Sequence, residues 1–189
     1  LERGAVFVED GAWPEVAEGA GTIAHELTEA LPHAELPEVM LVPLGNGALL
    51  TGIGAWLRHA SPATRIIGVA AAGAPSMQRS FAARRTVSTP SVATIADGIA
   101  VREPVPYAVD AMPALVDDVV LVSEGAIVAA MRLLHEQLGL VIEPAGAVGI
   151  AALLGDDGAS MHPWRGARIA TPLCGGNVTA EQVQRWLLP

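Results

Sequence analysis

The stretch Val39-Met40-Leu41-Val42-Pro43-Leu44-Gly45-Asn46-Gly47-Ala48-Leu49-Leu50-Thr51-Gly52 opens on aliphatic residues, turns through two glycines and resumes with helical spacing. It reads as a strand, a tight turn and the start of a helix. That order aims unpaired backbone amides and the positive end of a helix dipole at whatever lies above the turn, which suits a phosphate. A P-loop is excluded because the sequence contains no lysine: every one of its 11 basic residues is an arginine. A dinucleotide fingerprint is excluded by the Gly45, Gly47, Gly52 spacing. No Asp or Glu stands between Glu38 and Asp97 to hold a ribose hydroxyl. A small phosphate ester held by amides survives, and on this motif alone a ligand-free turn is an equally good reading.

Outward from this turn, short aliphatic runs recur at residues 5–8, 39–42, 65–69, 119–122 and 168–173, with helically spaced segments between them. Ile23, Leu27 and Leu31 predict one core-facing stripe, on a helix that Gly19-Ala20-Gly21-Thr22-Ile23-Ala24 opens. Residues 123–138 predict a second, capped by Ser123, carrying Ile127, Met131, Leu134 and Leu138 on one face and stopped by Gly139. A third begins at Glu143-Pro144. Its Ala145, Gly146, Ala147 and Gly149 would let a backbone or ligand approach closely. Strands apolar on both faces need helices on both sides, so the fold class is α/β, a three-layer, mostly parallel sheet.

At 189 residues the chain suits one domain, with 51% hydrophobic and 16% charged residues and a mean hydropathy of +0.42, too apolar for disorder. No apolar run reaches the roughly 20 residues of a membrane span, so membrane insertion is not expected. A net charge of −9 disfavours nucleic acid. Residues 39–96 hold five arginines and no acid, which reads as a face balanced by acids elsewhere. The lone Cys174 excludes a disulfide framework and fits the cytoplasm. The opening residues 1–9 hold neither an initiator methionine nor a signal-peptide pattern, and the sequence reads as beginning in mid-protein.

Four further features accompany the loop: Gly19-Ala20-Gly21-Thr22-Ile23, Thr94-Ile95-Ala96-Asp97-Gly98, Glu143-Pro144-Ala145-Gly146 and Cys174-Gly175-Gly176-Asn177. Each alone is bland: an Asp-Gly turn, a helix cap, a small hydrophobe. In this order they resemble the C-terminal part of the fold type II (tryptophan synthase β-like) pyridoxal-phosphate enzymes, nearest the threonine/serine dehydratase and serine racemase branch. The resemblance implies that Gly45, Asn46, Gly47, Ala48 and Leu49 stand where that family has its tetraglycine loop around the phosphate of pyridoxal 5'-phosphate. It places Cys174 where serine or threonine usually meets the pyridine nitrogen, and Gly98 and Glu143 along the cofactor ring. A neutral partner at that nitrogen favours β-elimination over transamination.

The same resemblance implies a divalent cation site just after the strand at residues 65–69, but residues 70–76 lack the expected carboxylates and no metal is expected there. His25, His33, His59, His135 and His162 show no paired ligand spacing and read as surface or satisfied core residues. Without lysine the chain supplies no Schiff base, so residues 1–189 are expected to be the C-terminal cofactor-phosphate-binding domain of a longer enzyme. The Schiff-base lysine is expected on an upstream domain, and no C-terminal regulatory domain is expected. The resemblance implies a homodimeric lyase that converts a small hydroxy amino acid such as threonine or serine to a 2-oxo acid and ammonia, and the single cysteine leaves the cytoplasm as its expected place. Racemisation, hydroxyaspartate ammonia elimination and threonine synthesis in the same fold remain open, as does a non-catalytic, lysine-free binding module.

Overall fold

The computed structural model describes residues 4–155 and 164–188. Four strands, β1 (Val39–Pro43), β2 (Arg65–Ala71), β3 (Asp118–Val122) and β4 (Ile169–Ala170), form a parallel sheet in the order β3-β2-β1-β4. Residues along β1 and β2 alternate between two cores. Met40, Val42, Ile66 and Ala70 face Leu50, Ile53, Leu57 and Met112, contributed by helices α2 (Ala48–Ala60) and α4 (Pro106–Leu115). Leu41, Ile67 and Val69 face Ile127, Met131 and Val148, from α5 (Glu124–Leu138) and α6 (Pro144–Leu154). This is the three-layer α/β arrangement that two-sided apolar strands require. Helices α1 (Pro14–Ala30), α3 (Ser76–Ala83) and α7 (Ala180–Trp186), with short 3-10 turns at His33–Glu35 and Asp97–Ile99, complete the described elements.

Several expectations are corrected. Residues 5–8 form no strand: Val6 and Phe7 stand 76% and 69% exposed, and aliphatic character there meets no pairing partner among the described residues. Of residues 168–173 only Ile169 and Ala170 pair, against Val39 and Met40. Helix α1 starts at Pro14, five residues before Gly19, and fully buries Ala17, Gly21 and Ala24, while of the expected stripe Leu27 packs partly buried against the core, Leu31 is the half-buried C-cap and Ile23 faces out. The reason is its neighbour. A Cβ on Gly52 of α2 would run into the Ala17 carbonyl and stand 2.8 Å from the Gly21 nitrogen. The two backbones therefore meet through small residues, and size rather than hydropathy selects the buried face. Ile23 is left 37% exposed.

Helix α5 has the expected bounds, with Ser123 Oγ accepting from the Ala126 amide at 3.2 Å and Gly139 closing it at φ 66°. Ile127, Met131 and Leu134 are buried, but Leu138 is 62% exposed because it lies on the final turn beyond the core. Within the arginine-rich stretch, Arg58 pairs with Asp117 at 2.8 Å and Arg84 lies over the Phe81 ring. His25 and His59 both pack against Trp56. His135 is not a satisfied histidine, since its Nδ1 is buried with no hydrogen-bond partner. Leu1 and His162 lie outside the described residues.

Candidate active site

Parallel sheets open their ligand crevice beyond the carboxyl ends of the strands. Beyond β1 the Leu44 amide still bonds to the Val69 carbonyl, at 2.8 Å, and the chain then turns through Gly45, Asn46 and Gly47. Gly47 has φ 102°, in the left-handed region, and a Cβ there would lie 2.6 Å from that of Ala108. Only glycine meets both conditions. Helix α2 starts at Ala48 with no side-chain cap, and Thr51 is the residue whose amide returns to the Gly47 carbonyl, at 2.9 Å. The amides of Ala48, Leu49 and Leu50 have no partner within the helix and point out of its positive end.

Two other segments face this loop. Residues 94–98 are fixed by Glu124, whose carboxylate accepts from the Ile95 amide at 2.7 Å, and by Asp97, which accepts from the Gly98 amide at 3.0 Å. Gly98 comes so close that a Cβ on Gly45 would stand 3.2 Å from its carbonyl oxygen. On the opposite side, α6 follows its N-cap Glu143 and receives the segment carrying Cys174. Cβ atoms on Gly146 and Gly149 would run into the Cys174 carbonyl and the Thr171 hydroxyl. The small residues of α6 thus admit a neighbouring backbone.

These segments enclose a cleft of about 150 Å³. The structure brings all eight sequence-predicted positions, Gly45, Asn46, Gly47, Ala48, Leu49, Gly98, Glu143 and Cys174, into its lining. It also brings in Asp10, which sequence reasoning missed. Asp10 Oδ1 accepts from Asn46 Nδ2 at 2.8 Å and from the Gly11 amide at 3.0 Å, so the Asn46 side chain is drawn towards the N-terminal segment. The one local signal was the Asp10-Gly11 turn pair, which names no partner 36 residues away. Burial pushes the Cys174 thiol above its ordinary pKa, and the neighbouring Glu143 carboxylate adds to the effect. The thiol is therefore neutral at physiological pH, a weak S–H donor.

Residues 1–175 match the model of one protein family, described as pyridoxal-phosphate dependent enzyme. The chain belongs to that family. The L-threonine ammonia-lyase of Geobacter sulfurreducens is 40% identical over 184 residues, covering 96% of this chain and 44% of that protein. The L-threonine ammonia-lyase of Thermotoga maritima is 36% identical, with 97% and 44% covered. The solved structure of maize serine racemase superposes with a TM-score of 0.84 at 32% identity, covering 97% of this chain and 55% of that one. The chain spans about half the length of the curated relatives it matches.

The donor set fits the family's cofactor. Pyridoxal-phosphate has an anionic phosphate at one end and a ring nitrogen at the other. The cleft combines amide donors at a helix N-terminus with a neutral thiol. The aldehyde needs an amine, and this sequence has no lysine to offer.

Proposed function

We propose that residues 1–189 are the C-terminal, cofactor-phosphate-binding part of a longer lyase that eliminates water from a small hydroxy amino acid such as threonine or serine, the unsaturated amine left behind taking up water again to give a 2-oxo acid and ammonia. The observation that carries this reading is the convergence of the eight residues on one cleft whose donors are uncharged. The names of its threonine ammonia-lyase relatives support the reaction class. The absence of lysine supports an upstream domain that carries it.

In this reading the amides of Gly45, Asn46, Gly47, Ala48 and Leu49 take the phosphate oxygens, which requires no side chain. Gly98 leaves room for the ring, Glu143 lines its edge and the Cys174 S–H faces its nitrogen. When bound, the cofactor supplies the electron sink for loss of the α-proton and the β-hydroxyl. A thiol that stays neutral leaves the ring nitrogen largely unprotonated, which tempers that sink and favours β-elimination. A homodimer in the cytoplasm is part of the proposal, on the resemblance and on the chain's single cysteine. Among the described residues no helix is long and apolar enough to cross a membrane.

Racemisation of a small amino acid is the second reading, favoured by the match to maize serine racemase. The deciding experiment expresses the natural reading frame whole, reduces it with borohydride and maps the peptides by mass. A lysine bearing the pyridoxyl group, followed by 2-oxo acid release from threonine or serine, is the expected result. Inversion of serine without 2-oxo acid would select the racemase. A frame that yields no modified lysine would end both readings.

A further inference from the structure

Glu143 occupies the N-cap of α6, yet its side chain makes no cap hydrogen bond. Its Oε2 instead accepts from the Asn177 amide at 3.1 Å, and its own amide donates to the Gly175 carbonyl at 3.2 Å. Between those two bonds, Gly175 has φ 82°, and a Cβ on it would run into the Glu143 carboxylate. The carboxylate thus sits in the hollow that a left-handed glycine leaves. The backbone before Gly175 lies equally close, with the Cys174 carbonyl occupying the space of the missing Gly146 side chain. The Cys174 carbonyl and the glycine that follows it therefore rest on the first turn of α6.

We infer that Glu143 is a positioning residue, which clasps the 174–177 turn from both sides and so holds the Cys174 side chain in the cleft. The clasp stands on these contacts alone, and the thiol's role towards the ring nitrogen rests on the function proposed above. Glu143 and Asp10 are the acids lining the cleft. The negative charge of Glu143 has a second consequence, opposing ionisation of the thiol next to it.

The test uses the full-length protein freed of cofactor, with Glu143→Gln and Glu143→Ala variants. Iodoacetamide labelling of the Cys174 peptide is followed by mass spectrometry across pH, and cofactor affinity is titrated separately by visible absorbance. Gln keeps an acceptor for the Asn177 amide and loses the charge. Its labelling midpoint is expected to move to lower pH, with labelling slower than in the Ala variant. Ala loses both, so labelling is expected to be severalfold faster at every pH and cofactor binding weaker by about fivefold, the worth of one hydrogen bond. Labelling of both variants at the wild-type rate and midpoint would overturn the clasp and leave Glu143 a mere helix start. Should the Ala variant fail to fold, Glu143→Asp, which keeps the charge but is one methylene too short to reach the Asn177 amide, takes its place in the same labelling assay. Shifted labelling in a wild-type background that takes up no cofactor would uphold the clasp and defeat the proposed function.

Discussion

Gly47 is where the backbone alone makes a chemical group. Its left-handed φ turns the chain from β1 into α2 so that consecutive amides face the cleft. Gly47→Ala combines left-handed strain of about 1–2 kcal/mol with a contact against Ala108, and a loss of at least that size is expected in urea denaturation of the full-length protein. Cys174 poses a milder question, because a hydroxyl donates better than a thiol of similar shape. Cys174→Ser is expected to keep the cofactor site and tighten it, read as a lower Kd in an absorbance titration. The direction of the thiol shift has its own outcome. A raised pKa leaves less thiolate at any given pH, so Cys174 in the cofactor-free enzyme should alkylate more slowly than a free cysteine throughout the neutral range.

Helices α1 and α2 cross through Ala17, Gly21 and Gly52 so closely that a single added methyl has nowhere to go. Since α2 also presents the phosphate loop, its axis cannot shift without moving the loop. Gly52→Ala is expected to destabilise the protein by about 1–3 kcal/mol and to weaken cofactor binding as well, with urea midpoints and an absorbance titration as the two checks. Helix α5 offers the contrast of an end held by a side chain. Removing its cap with Ser123→Ala should lower the urea midpoint by an amount corresponding to about 1 kcal/mol. Cofactor affinity should be unaffected there, because Ser123 does not line the cleft.

The whole molecule is held as two cores on either side of one sheet, while the cleft is assembled from five separate segments: residues 10, 43–49, 98–99, 143–146 and 174. A ligand that binds this cleft therefore ties together parts of the chain that the cores fix only indirectly. Removing pyridoxal-phosphate from the full-length enzyme should lower its melting temperature. At a cofactor concentration of about 100 times Kd the stabilisation lost is about 2.7 kcal/mol. Inorganic phosphate added to the cofactor-free protein should restore part of it, because the amide cradle recognises the phosphate alone.

The sequence by itself determined the α/β class, because aliphatic runs two-sided in character must be covered twice. It also determined the turn at Gly45, Asn46 and Gly47 and the helix at Ser123, which rest on local backbone chemistry. The order of its loops placed Glu143 and Cys174 in one site through resemblance, without saying how they touch. What only the tertiary structure decided depends on neighbours distant in the chain. The face that α1 buries follows from the glycine of α2 opposite it. The exposed fate of residues 5–8 follows from the lack of a strand beside them among the described residues, and the joining of Asp10 to Asn46 from the path of the N-terminal segment. Hydropathy and propensity are properties of a residue and its near neighbours. Close approach is a property of two backbones, and its small residues carry no periodic hydrophobic signal.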